Sequence, residues 1–181
     1  MKFEATSLEK VFVITLDKFK DERGWFNRMF CSREFEDRGI HFDVTQINQS
    51  FTALAGTFRG VHYQYGPFAE YKLVRCLKGS VLDFAVDLRK ESKTLFKHFS
   101  VELSDSNNKM LLLPPCVGHA FQSLENNSEL IYLHSSFYNK EYEGGVKYND
   151  PLICLNLPKK ITQISERDSN HSLLEKNFIG L

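Results

Sequence analysis

Apolar and polar positions alternate over short stretches of this chain, and turn-forming residues separate one stretch from the next. The clearest stretch is Val81-Leu82-Asp83-Phe84-Ala85-Val86-Asp87-Leu88-Arg89. A period of two puts Leu82, Phe84, Val86 and Leu88 on one face and Asp83, Asp87 and Arg89 on the other, which predicts a strand with a core face and a polar face. Further strands are predicted over residues 11–16, over 71–77 closed by Lys78-Gly79, over 110–113 stopped by Pro114-Pro115, and over 130–134. Helical signals are few. Ser32–Arg38 reads as a short helix with Ser32 as cap and Gly39 as stop, and the stretch from about Ser172 to Phe178 reads as another. Many short strands with turns between them predict an all-β fold, a jelly roll with a few short helices. Such a barrel encloses a cavity, so its inward-facing polar residues become candidates for a site.

Composition narrows the partners. The 181 residues carry 23 Lys+Arg against 23 Asp+Glu, a formal net charge of +0, with no basic run to follow a phosphate backbone. Nucleic acid is therefore not an expected partner, and an anionic ligand would have to be met by local charge. An apolar share of 42% suits a globular chain able to bury a core, and 16 Phe among 13% aromatics favour β structure. With no linker, repeat or shift in composition, the expectation is one domain over 1–181. Met1-Lys2-Phe3-Glu4 has an acid where a signal peptide needs an apolar run, and no stretch approaches the roughly 18 to 20 apolar residues of a membrane span. A cytoplasmic protein without a membrane partner is expected. Cys31, Cys76, Cys116 and Cys154 form no CxxC pair and read as buried free thiols.

The densest polar cluster is Gln46-Ile47-Asn48-Gln49-Ser50, followed by Gly56-Thr57-Phe58-Arg59-Gly60-Val61-His62-Tyr63-Gln64. Strict alternation places Arg59, Val61 and Tyr63 on one face and His62 and Gln64 on the other. A lone strand histidine is ordinarily a satisfied or exposed side chain. Here Lys72 opens the next strand, and a second histidine, His119, follows the turn at Pro114-Pro115-Cys116-Val117-Gly118. A metal site on a jelly roll would need a His-x-His pair with a carboxylate. This chain has His62-Tyr63-Gln64, and an amide is a poor substitute for imidazole, so Glu70 and His119 would complete only a weak site. No metal and no cofactor are expected.

In order and spacing, several motifs together resemble the dTDP-4-dehydrorhamnose 3,5-epimerase family of cupin-fold sugar-nucleotide epimerases. They are Asp21-Glu22-Arg23-Gly24-Trp25-Phe26, Gln46-x-Asn48-x-Ser50, Arg59 to Gln64, Lys72-Leu73-Val74, Asp83 to Arg89, Gly118-His119-Ala120-Phe121, Asn149-Asp150-Pro151 and Ser165-x-Arg167-Asp168. The resemblance spans nearly the whole chain. It implies a double-stranded β-helix of the cupin type, a metal-free site inside the barrel, a nucleotide-sugar substrate, and a homodimer whose N-terminal segment reaches the partner's site. By position it makes His62 the catalytic base, Asp168 the carboxylate that orients it, Lys72 the enolate-side lysine and Tyr138 the acid. It also assigns Arg59, with Arg23 from the neighbouring chain, to the diphosphate, and Phe26, Gln46 and Asn48 to the base, with His119 lining the sugar pocket. The chemistry suits those residue types: a proton α to a C4 ketone needs a positioned base, a cation for the enolate oxygen, and an acid on the opposite face. Without the resemblance, Asp168 would read as a cap or surface charge, and Tyr138 as one of seven tyrosines.

The chain also departs from the family pattern. Arg28 stands where the family commonly has a glutamate, Cys116 and Ala120 stand where it has glycines, and Leu157 replaces a frequent tryptophan. Because cysteine resists positive φ, the turn at Cys116 is expected to take a different backbone path. The expected activity is 3,5-epimerisation of dTDP-4-dehydro-6-deoxyglucose, a step toward dTDP-rhamnose and surface polysaccharide. Alternatives are a C3-only epimerase, a GDP- or CDP-linked sugar or a heptose, a metal-dependent cupin, and a non-catalytic sugar-binding jelly roll.

Overall fold

The computed structural model describes residues 1–181. Six strands form one antiparallel sheet in the order β1 (Lys2–Ala5), β2 (Phe12–Thr15), β10 (Lys109–Leu113), β7 (Lys72–Lys78), β12 (Ser128–His134), β5 (Gln46–Thr52). Five form the facing sheet: β13 (Glu143–Gly145), β6 (Phe58–Gln64), β11 (Val117–Ser123), β8 (Ser80–Asp87), β9 (His98–Ser104). A hairpin of β3 (Phe19–Asp21) and β4 (Gly24–Phe26) stands outside both. All pairings are antiparallel; β1–β2, β3–β4 and β8–β9 join consecutive strands, and the others join strands distant in sequence, as in the expected jelly roll.

Three apolar layers follow from this arrangement. The inner layer joins Val13, Val74, Cys76, Leu111, Leu113 and Leu130 of the first sheet to Val81, Ala85, Leu103, Val117 and Phe121 of the second. Outside the six-stranded sheet, Ile14, Leu73, Met110 and Leu112 pack against Phe35, Ile40 and Phe42. Outside the five-stranded sheet, Phe58, Val61, Phe84 and Val86 are covered by the C-terminal third, through Val146, Ile153, Leu174 and Phe178. Both faces of β8 are thus buried. Asp83 and Asp87, expected on a polar face, are fully buried and satisfied by side chains: His119 for Asp83; Arg89, Ser92 and Thr94 for Asp87.

Two helix expectations need correction. Helix α1 covers Ser32–Glu36, but the cap position is Cys31 and no side chain bonds there. A helix this short is unstable alone, and α1 is held by Phe35, which is fully buried against Phe3, Phe30 and Phe42. No helix forms over Ser172–Phe178. That stretch packs irregularly over the second sheet, with one turn at Lys176-Asn177, because its backbone bonds to other segments: the Lys147 N–H donates to Ser172 O at 3.1 Å, and the Leu174 N–H donates to Asp150 Oδ2 at 2.6 Å. The second helix, α2, is instead Glu166–Ser169, where the Asp168 N–H donates to Ser165 Oγ at 3.0 Å. Of the four free cysteines only Cys76 is buried. Burial pushes its thiol up to about 12. Cys116 adopts φ 60°, so the turn keeps the left-handed path that cysteine was expected to refuse. That conformation costs on the order of 1–2 kcal/mol, which the tightly packed strands on either side must hold.

Candidate active site

Where the inner apolar layer gives way to polar side chains, β5, β6, β7, β11 and β12 enclose a cavity of about 580 Å³. Gln46, Asn48, Arg59, His62, Lys72, His119 and Tyr138 all line it. Arg59 and His62 were expected on opposite faces of β6, yet they share this cavity. The reason is a bulge: His62 pairs with His119 and Arg59 with Phe121, so three steps on β6 match two on β11. The extra residue resets the alternation. Gly60 lies inside the bulge at φ 135°, and a Cβ there would sit 2.3 Å from that of Ala120. Only glycine fits.

His62 is anchored through Nε2, which lies 2.8 Å from Asp168 Oδ1. Asp168 comes from α2, more than a hundred residues away in sequence, and its other oxygen accepts the Gly60 N–H at 3.1 Å. The carboxylate therefore grips the bulge and the imidazole together. Its burial alone would raise its pKa, but the hydrogen bond and charge of His62, with the Gly60 and Ser165 contacts, hold the carboxyl down to about 2. An ionised Asp168 keeps the proton on Nε2 and leaves Nδ1 with the free lone pair.

Three further polar groups face the same space. Lys72 Nζ is 3.7 Å from Glu70 Oε1, whose other oxygen is 3.0 Å from His134 Nδ1. His134 Nε2 continues to Asn48 at 3.3 Å, and Asn48 accepts from Gln46 at 3.1 Å. Lys72, His134 and Gln46 are aligned across β7, β12 and β5, so one row of the sheet carries the network. His119 Nε2 is 2.9 Å from Asp83 Oδ2 in a fully enclosed pair, where burial pushes the imidazole down and the carboxyl up against their mutual attraction. Tyr138 donates its hydroxyl to Glu143 Oε2 at 3.0 Å, and both Glu143 oxygens are clamped by Arg167 at 3.0 Å. Burial first, then the Glu143 hydrogen bond and charge, raises the phenol pKa. The residue stays protonated at neutral pH.

Gln64 explains part of the metal question. Its amide donates to Phe68 O and Phe137 O at 3.2 Å and accepts the Asn139 N–H at 2.7 Å, tying down both neighbours of Tyr138. Glu70 and His119 are committed to His134 and Asp83, so the grouping of His62, Glu70 and His119 does not assemble. Arg23 and Phe26 do not reach the cavity of their own chain. Arg23 pairs with Asp21, and Phe26 is 65% exposed on the outlying hairpin. Arg28 is paired with Glu34. Sequence reasoning weighed Glu70 only as a weak metal ligand and missed its pairing with His134, and it missed His134, Glu143 and His171 altogether; these gain meaning only from tertiary contacts. His171 carried one local sign, its place three residues after Asp168.

Fold and cluster define a jelly-roll protein with an internal acid–base site. Comparison with known proteins makes the class specific. The family model for dTDP-4-dehydrorhamnose 3,5-epimerase matches residues 5–176. The dTDP-4-dehydrorhamnose 3,5-epimerase of Sinorhizobium fredii is 38% identical over 96% of this chain and 90% of its own length. The crystal structure of the enzyme of that name from Elizabethkingia anophelis superposes with a TM-score of 0.93 at 36% identity, covering 98% of each chain. A 3'-monoepimerase from Streptomyces bikiniensis in complex with dTDP-quinovose gives 0.87 at 30% identity, over 93% of this chain and 85% of its own. The chain belongs to the dTDP-4-dehydrorhamnose 3,5-epimerase family and is thereby an isomerase of the cupin-like jelly-roll type. No helix is long and apolar enough to cross a membrane.

Proposed function

We propose that this chain, acting as one domain over 1–181, epimerises C3 and C5 of dTDP-4-dehydro-6-deoxyglucose to give dTDP-4-dehydrorhamnose. The observation that carries the reading is the 2.8 Å His62–Asp168 pair on a cavity that Lys72 and Tyr138 also line. His62 Nδ1 takes the proton α to the C4 ketone, and the electrons move onto the ketone oxygen. Lys72 stabilises that oxyanion. Tyr138 then delivers a proton to the opposite face of the same carbon as the enolate collapses to the ketone; His62 releases the proton it took to solvent, and the Tyr138 phenolate is reprotonated from solvent. Glu143 beside it disfavours the phenolate, which drives that return. Repetition at the second carbon completes the product without a metal or cofactor. His119, held by Asp83, lines the sugar end.

Arg59 and Arg167 border a second hollow of about 910 Å³ behind the pair, a placement suited to the diphosphate. Gln46 and Asn48 offer amides to a pyrimidine edge. A second protomer would supply Arg23 and Phe26: the hairpin bearing them is exposed, and Trp25, Phe26, Ile47 and Phe51 are all more than half exposed as apolar side chains. A homodimer with shared sites is thus part of the reading.

The test is incubation with dTDP-4-keto-6-deoxyglucose in D2O. Deuterium at both C3 and C5 is expected; deuterium at C3 alone would establish the monoepimerase reaction instead, and none would overturn the substrate. His62→Ala should lower exchange by about 10²–10⁴-fold. Exchange at the wild-type rate in that variant would remove His62 as the base.

A further inference from the structure

Beside the His62–Asp168 pair stands a third group that the epimerase reaction does not use. His171 Nε2 lies 3.8 Å from Asp168 Oδ1, the same oxygen that His62 Nε2 meets at 2.8 Å. The two imidazoles are edge-to-face with centroids 5.7 Å apart, and one donor atom from each of the three residues lies within 4.8 Å of the others. His171 Nε2 is shielded from solvent and has no hydrogen-bond partner. Its ring lies over Gly145, where a Cβ would approach to 2.3 Å, so only glycine leaves room for it. A buried imidazole nitrogen turned toward an ionised carboxylate, with a second imidazole on the far side, is a donor set awaiting an acceptor.

We propose that His62, Asp168 and His171 form a binding site for a borderline-soft divalent cation, with zinc as the test case, and that occupation switches off the base. Two imidazoles and a carboxylate suit zinc, cobalt, nickel or copper, and do not suit magnesium or calcium. Zinc–nitrogen and zinc–oxygen bonds of about 2.0–2.2 Å in a tetrahedral array separate donors by roughly 3.3 Å. The observed 2.8 and 3.8 Å straddle that spacing and the third separation is within 4.8 Å, so side-chain rotation closes the array. Opposing the cation is Arg167, whose Nε is 3.6 Å from Asp168 Oδ1; Glu143 holds that guanidinium by both oxygens and offsets its charge. The open fourth position falls to water.

Inhibition follows from proton accounting and rests on the assignment of His62 as base. A neutral imidazole has one N–H and one lone pair. With Asp168 on Nε2, the proton is there and the lone pair is on Nδ1. A cation on Nε2 takes the lone pair, and the same proton moves to Nδ1. No proton is lost, but the nitrogen that would accept from the sugar now carries one. Substrate exchange therefore stops while the fold is unchanged.

The experiment is calorimetric titration of the metal-free, full-length protein with Zn2+, with Mg2+ as control, for wild type and His171→Ala. About one zinc per chain is expected, with no magnesium binding and at least about tenfold weaker zinc binding in His171→Ala. Absence of zinc binding by the wild type overturns the site, and so does binding that His171→Ala leaves unchanged, which would place the cation elsewhere, such as on Cys116 or Cys154. If the variant fails to fold, Co2+ added to wild type decides: paramagnetic shifts of the His62 and His171 ring protons support the site, and unshifted rings refute it. Deuterium exchange is then measured with and without zinc, each variant against its own zinc-free rate, and a chelator should restore it. Exchange undiminished by bound zinc overturns the inhibition. His171-dependent zinc binding in a protein that exchanges no deuterium even without metal leaves the site standing and refutes the epimerase reading.

Discussion

Asp168 is engaged three times at once: its carboxylate accepts from His62 and from the Gly60 N–H, and its own N–H donates to Oγ of Ser165, the residue that caps the helix. Asp168→Asn keeps the shape but replaces one acceptor oxygen by an N–H donor, so His62 must turn its proton to Nδ1, the nitrogen that serves as base. Exchange should fall by about 10²–10⁴-fold while the chain still folds at neutral pH, as circular dichroism would check. Wild-type exchange in the Asn variant would show that the tautomer does not matter. The role of Asp168 was visible in sequence only through family resemblance, since a Ser-x-x-Asp segment by itself reads as a helix cap, which it also is.

At the scale of elements, two connections decide how well the site is held. Gln64, at the end of β6, ties Phe137 and Asn139 and so fixes the backbone on both sides of Tyr138. Gln64→Ala should lower exchange by about 10–10²-fold through misplacement of the acid. In a Tyr138→Phe background the same change should add little, and full additivity in that double-mutant cycle would refute the link. The end of β8 carries a pH effect. Burial would raise Asp87, but hydrogen bonds from Arg89, Ser92 and Thr94 outweigh it and hold the carboxyl down to about 2, against 3.8 when unstructured. A carboxyl depressed by folding stabilises the native state above its unfolded pKa and loses that contribution as pH falls through the folded one. Stability on the order of 2 kcal/mol should thus disappear between about pH 4 and 2. Urea unfolding across that range should show the slope in wild type and a shallower one in Asp87→Asn; equal slopes would count against it.

For the whole molecule the prediction concerns shared sites. Arg23 and Phe26 lie on a hairpin that does not reach its own cavity, whereas His62 lies inside it. Arg23→Ala and His62→Ala should each be nearly inactive alone. Mixed after dissociation and reassociation, half the dimers are hybrids with one intact site of two, so exchange should recover to about a quarter of wild type, as expected for an isologous pair. A mixture no more active than its components would show that Arg23 acts within its own subunit or not at all.

Period-two patterning fixed the strands around 11–16, 71–77, 81–89, 110–113 and 130–134, because alternation is a local property of the pleat. Turn signals placed α1 but not its cap, and only the family resemblance pointed to His62, Lys72, Tyr138 and Asp168. What remained needed the folded chain. The bulge at Gly60 depends on how β6 pairs with β11, and without it Arg59 and His62 could not face one cavity. The tail near Ser172 has helical propensity, but its carbonyls and amides find partners on other segments, so tertiary bonds override it. Asp83 and Asp87 read as a solvated face because alternation distinguishes two sides without saying which is wet; the second layer on β8 decided that. The pairs Glu70–His134, Tyr138–Glu143 and His171–Asp168 join residues from separate strands and loops, or across a helix end. Sequence carries their chemistry, and only the tertiary structure supplies their distance.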